Sequence, residues 1–165
     1  MIRGEKNFMS PSQINILMDL EKIKKYIPHR DPLLLIDSIH EVTDNDRIVS
    51  SKTHHTTDPV FAGHFPDNPI YPGVYYIEGM AQSGAVLIGI NREKEGLLEE
   101  KLGFLASIDD VRFRKPTGPG DTVRYEVSLE KTRGPFLWFK GTAFVNDEIA
   151  VECKFSIALG ASRRN

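Results

Sequence analysis

A single cysteine, Cys153, in 165 residues rules out an intrachain disulfide framework and a cysteine cluster for zinc. An excess of one charge is missing too. Twenty-one Lys+Arg stand against 23 Asp+Glu, a formal net charge of -2, so bulk electrostatics gives no case for nucleic acid as a partner. The opening residues, MIRGEKNFMSPSQ, contain no apolar core of a secretory signal. No clean membrane-spanning run occurs either. The most apolar stretch, residues 70–90, holds Pro72 and Gly73 near its start and Glu78, Gln82 and Ser83 inside. The part beyond Gly73 falls short of the roughly 20 apolar residues a span needs. Internal repeats and low-complexity tracts are absent. The chain is 40% hydrophobic and 27% charged, enough apolar matter to bury a core rather than stay disordered. A single domain over 1–165, in a reducing, cytoplasmic setting, is the expectation, with 1–10 and 160–165 as flexible tails.

The pattern along the chain predicts an α+β domain. Ser10, Pro11 and Gln13 read as the start of an amphipathic helix carrying Ile16, Leu20, Ile23 and Ile27, which Pro28 stops. Strands are expected over 33–42 and 47–57. Residues 58–73 are too proline-rich for regular structure and read as a functional loop. A buried helix comes next over about 74–91, then a polar connection over 92–101. Strands are expected over 102–115, 121–130, 136–146 and in a final run from Ile149 to Leu159. In the second of these, Val123, Tyr125, Val127 and Leu129 alternate with polar residues, the period of a half-buried strand. One apolar helix and a mostly antiparallel set of strands imply a sheet curled around the helix. Gly84, with Ala81 and Ala85, suits close approach of backbone to backbone. Cys153 falls on the apolar face of the last strand and reads as an inert core thiol.

Three features carry chemistry. Glu78 lies one turn into an apolar helix, with Gln82 four residues on and on the same face. A carboxyl with few polar neighbours is expected to have a raised pKa, which suits a general acid; the bland alternative is a helix-surface glutamate. His64, in the proline-rich loop just before that helix, would complete an acid–base pair, although a lone histidine is more often structural. Pro72-Gly73-Val74 opens the helix, where unpaired N–H groups and the helix dipole can polarise a carbonyl. Together the three describe proton abstraction beside a carbonyl. His54 and His55, adjacent on an expected strand, point to opposite faces and form no metal site. His29 and His40 read as structural or surface groups.

The stretches His64-Phe65-Pro66, Asn68-Pro69-Ile70, Pro72-Gly73-Val74 and Ile77-Glu78-Gly79-Met80-Ala81-Gln82 resemble the active-site signature of the FabZ-type (3R)-hydroxyacyl-[acyl-carrier-protein] dehydratases. Ile27-Pro28-His29-Arg30 with Leu33-Leu34-Leu35-Ile36-Asp37, and Val111-Arg112-Phe113-Arg114-Lys115-Pro116 with Pro119-Gly120-Asp121, resemble further motifs of that family. The resemblance covers roughly residues 20 to 160. It implies a hot-dog fold, a long central helix wrapped by a curved, mainly antiparallel sheet. It also implies a homodimer, often a homohexamer built as a trimer of dimers, in which His64 of one subunit faces Glu78 of another. By the same resemblance the Gly73 N–H binds the thioester carbonyl, His64 takes the α-proton, Glu78 helps the β-hydroxyl leave and Gln82 orients Glu78. Phe65, Pro72, Val74, Tyr75 and Tyr76 would line the acyl tunnel, and no metal or other cofactor is implied.

Some positions depart from the family pattern. Asp31 stands where an aromatic is common, Tyr71 where methionine is, and Tyr75-Tyr76 where aliphatic residues are typical. One of these two tyrosines is expected to join the active-site network or to block part of the tunnel. Arg112, Arg114 and Lys115 are expected to share a strand face that docks the acidic acyl carrier protein, with Arg163 and Arg164 adding to it; a merely solvated face is the alternative. The rival functions are a hot-dog thioesterase, a dehydratase-like protein of a specialised lipid or polyketide route, and an acyl-binding scaffold.

Overall fold

The computed structural model describes residues 16–97 and 101–161. In chain order the elements are α1 (Leu20–Ile23), β1 (Ser38–Thr43), β2 (Arg47–Thr53), α2 (Val60–Gly63), α3 (Gly73–Lys94), β3 (Lys101–Phe113), β4 (Thr122–Arg133), β5 (Phe136–Val145) and β6 (Glu148–Ala161). The strands form one six-stranded sheet in the order β1-β2-β4-β5-β6-β3, every pair antiparallel. The 22-residue α3 lies across β2, β4, β5 and β6. This is the hot-dog arrangement, and it agrees with the α+β expectation.

The alternation in β4 is realised as read: Val123, Tyr125 and Val127 are fully buried beneath α3. Aromatic side chains, not backbone, fill the space at the helix glycines. A Cβ on Gly79 would lie 2.6 Å from the Tyr125 hydroxyl, and one on Gly84 would lie 3.2 Å from the Phe139 ring. The contact is therefore helix backbone against side chains of the sheet. Ser83 donates to the Gly79 carbonyl at 2.8 Å and shares a 2.7 Å bond with Ser50 of β2, so the two buried hydroxyls are satisfied. Cys153 is 3% exposed, and burial pushes its thiol up to about 12, in keeping with an inert core residue.

Several boundaries differ from the sequence reading. Within the described residues the first helix is only Leu20–Ile23, because the Asp19 carboxylate caps the Lys22 N–H at 3.0 Å. The chain before it pairs with β1 instead: Leu17 and Met18 donate to the Ile39 carbonyl. Ile16 is 57% exposed, so it is no part of a buried face. Ser10, Pro11 and Gln13 lie outside the described residues, as do 1–10 and 162–165 of the expected tails. The first ladder begins at Ser38 rather than 33, since Leu33 and Leu35 bond to Gln82 of α3 and the chain reaches β2 only at Asp37, whose N–H donates to the Ser51 carbonyl. The second ends at Thr53, where the His54 N–H turns away to the Asp121 carbonyl at 2.9 Å. The proline-rich loop contains one helical turn, α2. Asn146-Asp147 turns β5 into β6 with φ of 52° and 60°, the backbone that a two-residue hairpin of matching twist requires.

Candidate active site

His64 sits just after α2, and its loop is held from several sides. Its N–H donates to the Val60 carbonyl, and its own carbonyl accepts from Ile70 at 2.9 Å. Tyr71 N–H reaches the Thr117 carbonyl at 2.8 Å, tying this loop to the one before β4. The imidazole Nδ1 is 2.7 Å from the Ile70 carbonyl. A carbonyl only accepts, so Nδ1 carries the proton and Nε2 keeps its lone pair for use as a base. Phe65 stacks on the ring at 4.1 Å.

Three residues beyond Ile70, Gly73 opens α3 after Pro72, which supplies no side-chain cap. The first-turn N–H groups thus face outward with the positive end of a long helix behind them. The Phe113 ring lies where a side chain on Gly73 would be, 2.7 Å from a Cβ there. Glycine is what allows this close approach at the helix start.

Glu78 faces a different neighbourhood from the one expected. Its Oε1 accepts from Gln82 Nε2 at 2.9 Å and lies 3.3 Å from His29 Nε2. Gln82, 1% exposed, also donates to the Leu33 carbonyl at 2.8 Å and accepts from the Leu35 N–H at 2.9 Å. One amide thereby fastens the 33–35 segment to the helix and to the carboxylate. His29 above all, and then Gln82, lower the Glu78 pKa against the opposing effect of burial. This corrects the expected raised pKa: the carboxylate is not short of polar neighbours. His29, read from the sequence as a structural or surface group, stands beside this carboxylate. Its backbone neighbour Arg30 is anchored on the Ile27 and His29 carbonyls at 3.1 and 2.6 Å, which holds the segment in place.

Within one chain, among the described residues, His64 and Glu78 share no hydrogen bond or ion pair. The structure brings together His29, Glu78 and Gln82 on one side, and His64 with the start of α3 on another. The tunnel candidates divide as well. Phe65 and Val74 are 49% and 62% exposed, Pro72 and Tyr75 are half-buried, and Tyr76 is 1% exposed. Tyr76 points into the core, where its ring meets Tyr71 at 5.0 Å, His54 at 6.0 Å and Tyr125 at 6.3 Å. The hydroxyls of Tyr71, Tyr76 and Tyr125 and both ring nitrogens of His54 have no protein partner among the described residues. Burial raises all three phenols and lowers His54 to about 4. His54 is fully buried, stacked on Tyr71 at 3.7 Å, while His55 is exposed.

Of the three basic residues only Arg112 lies within β3. β3 ends at Phe113; Arg114 is paired with Glu152, the ladder partner of Arg112, and Lys115 lies 3.1 Å from Glu148. Arg112 is exposed, near Asp110.

A long helix packed against one antiparallel sheet, with an imidazole before the helix and a carboxylate one turn into it, defines a hot-dog protein. A family model described as a FabA-like domain matches residues 27–154. The chain is 37% identical over 143 residues to the 3-hydroxyacyl-[acyl-carrier-protein] dehydratase FabZ of Oceanobacillus iheyensis, covering 87% of this chain and 99% of that protein. It is 41% identical over 144 residues to the FabZ of Clostridium perfringens strain SM101, covering 87% and 100%. Among solved structures, a chain of the dehydratase heterocomplex ApeI:P from Xenorhabdus doucetiae shares the fold with a TM-score of 0.74 at 22% identity, covering 85% of this chain and 91% of that one. This chain belongs to the FabZ family of 3-hydroxyacyl-[acyl-carrier-protein] dehydratases.

Proposed function

We propose that the chain carries out its family's reaction, the reversible removal of water from a (3R)-hydroxyacyl thioester on acyl carrier protein to give the trans-2-enoyl thioester in fatty-acid synthesis. The observation that carries the reading is the His64 imidazole, its tautomer fixed by Ile70, set in the same loop that leads into the bare helix start at Gly73. The thioester carbonyl accepts from the Gly73 N–H, which acidifies the α-carbon. His64 Nε2 takes the α-proton, and Glu78 protonates the departing β-hydroxyl, which leaves as water. Glu78 rests ionised beside His29, so it takes up a proton from solvent before it can serve as the acid. His64 then gives up the proton it has gained, so that the net change over one turnover is the removal of one water. No electrons change hands, so the reaction calls for no redox cofactor.

His64 and Glu78 meet in this reading only across two copies. The β3 edge supports a second copy: it has 13 residues, bonds to β6 alone among the described strands, and exposes Phe104, Ile108 and Phe113 at 53%, 45% and 56%. A long apolar edge of that kind invites pairing. A homodimer joined there is the unit of activity, and a hexamer is three such dimers.

The test is mass-spectrometric conversion of a (3R)-hydroxyacyl carrier-protein substrate. Wild type should remove one water, and His64→Ala and Glu78→Gln should each lose roughly a hundredfold or more in rate. Release of free acid instead would identify a thioesterase and overturn the reading.

A further inference from the structure

Of eight buried side-chain nitrogen and oxygen atoms without a protein partner among the described residues, six belong to five residues that adjoin one another. They are Nδ1 and Nε2 of His54, the hydroxyls of Tyr71, Tyr76 and Tyr125, and Thr117 Oγ1. Tyr71 links the group: its ring stacks on His54 and meets Tyr76 at 5.0 Å, and its N–H is bound by the Thr117 carbonyl. Tyr76 in turn meets Tyr125, and after burial itself the phenols of Tyr71 and Tyr76 are what push Tyr125 up. None of the five residues is more than 5% exposed.

So many buried polar atoms do not stay unpaired. Each would forfeit the bonds it makes to water in the unfolded chain, and six such losses together rival the whole stability of a domain. The nearby carboxylates are taken already. Asp37 accepts from Lys52 and the Thr53 N–H, Asp58 from the His55 N–H, and Asp121 from the Gly118 N–H. The five side chains are themselves neutral, because burial keeps the imidazole uncharged and the three phenols protonated. A neutral imidazole has one donor and one acceptor, and each hydroxyl is both. That is the chemistry of a water site rather than an ion site. The two nitrogens of one ring point apart, so a single water does not serve both.

We propose that these residues enclose about two water molecules, each making about three bonds, and that the hydrated cluster acts through Tyr71 to position the segment between His64 and Gly73. The positioning role rests on the dehydratase reading. Residues 64–72 belong to no helix or strand, so side chains must set the distance from the imidazole to the start of α3. Ile70, whose carbonyl holds His64 Nδ1, immediately precedes Tyr71, and Gly73 lies just beyond Pro72. The Tyr71 ring is clamped on His54, which is itself pinned: its N–H donates to the Asp121 carbonyl and its carbonyl accepts from the Gly120 N–H. The waters complete the clamp by joining the Tyr71 hydroxyl to α3 and β4, where Tyr76 and Tyr125 stand. Tyr71 is thus a positioning residue, acting through the imidazole and the helix start on either side of it.

Two measurements test this. Oxygen-17 relaxation dispersion of water counts long-lived internal waters, and wild type should show about two more than the double variant Tyr71→Phe/His54→Phe, which keeps both rings and removes three of the six atoms. Equal counts overturn the water site. In turnover of a (3R)-hydroxyacyl carrier-protein substrate, Tyr71→Phe should lower kcat by about tenfold with KM within about twofold, the pattern of a misplaced reacting group. His54→Phe should move kcat in the same direction, and His54→Gln, which returns a donor and an acceptor, should recover part of the loss. An unchanged kcat in both phenylalanine variants overturns the positioning role. So does a lowered urea midpoint with kcat intact, which would mark the cluster as structural only. Absence of turnover by wild type removes the reaction reading and the positioning role with it, while the count of waters still decides the site.

Discussion

His29 Nε2 and Gln82 Nε2 converge on a single oxygen of Glu78, at 3.3 and 2.9 Å. Oε1 is thereby anchored, and the second oxygen of the carboxylate is the one left to meet a substrate. His29 is the larger influence in holding Glu78 ionised. In His29→Leu, burial then dominates and the Glu78 pKa should rise. Carbon-13 NMR of labelled glutamate, with Glu78→Gln assigning the resonance, checks this. A fall or no change would mean that the helix environment, not His29, sets the charge state.

The proposed sharing of the site between copies makes a prediction of its own. Mixing His64→Ala with Glu78→Gln subunits and allowing exchange should restore about a quarter of wild-type activity, since half the dimers are mixed and each holds one intact site. No recovery after demonstrated exchange would place both residues in the same chain's site.

Gln82 makes its bonds to Leu33, Leu35 and Glu78 from a buried position. Gln82→Leu keeps the size but leaves a buried N–H and a buried carbonyl unpaired. The expected loss is about 2–4 kcal/mol, read as a lowered urea midpoint, together with reduced turnover. A variant as stable as wild type would show that water replaces the amide freely.

His54 gives the fold an acid weakness. Its folded-state pKa of about 4 lies below the roughly 6.5 of the unfolded chain, so between the two the unfolded state binds more protons. Stability should fall as pH drops from about 6.5 toward 4, by roughly 3 kcal/mol from this group. His54→Phe keeps a ring against Tyr71 and removes the titration, so its denaturation midpoint should fall less steeply over that range. Identical pH dependence in the two proteins would clear His54 of the effect.

Tyr76 carries a buried hydroxyl without a protein partner among the described residues. Tyr76→Phe should be neutral or stabilising by about 1 kcal/mol, with little change in rate. A large loss of activity would tie that hydroxyl to the reacting atoms after all.

Residues with a strong local signature are readable in the sequence. The long helix announces itself by an apolar run entered through Pro72-Gly73, and β4 by its two-residue alternation. Glu78 stands out because it is the one carboxylate in that run. His29 does not, because its meaning depends on Glu78, 49 positions away in sequence and joined to it only when Gln82 straps the 33–35 segment to α3. The same long-range contacts overturn the expected pKa, since neighbours in sequence alone leave them out. The first helix is shorter than its pattern suggests for a related reason: helical periodicity at Ile16 and Leu20 loses to pairing of Met18 with Ile39. Tyr76 reads as a tunnel residue from its place in the motif, but the helix turns it toward the sheet.

β3 leaves the ribosome well before β6, yet β6 is the only strand to which it bonds among those described, and β6 inserts between β3 and β5. The sheet therefore cannot close before β6 has been made. Until the last strand emerges, the apolar β3 stays a loose ribbon, exposed to whatever else is sticky in its surroundings. Loss of the second half of that strand would leave residues 101–108 unpaired, with only Asp109, Arg112 and Phe113 keeping their β6 partners. The moment of maturation is set by the C-terminal strand, far in sequence from every residue that does chemistry.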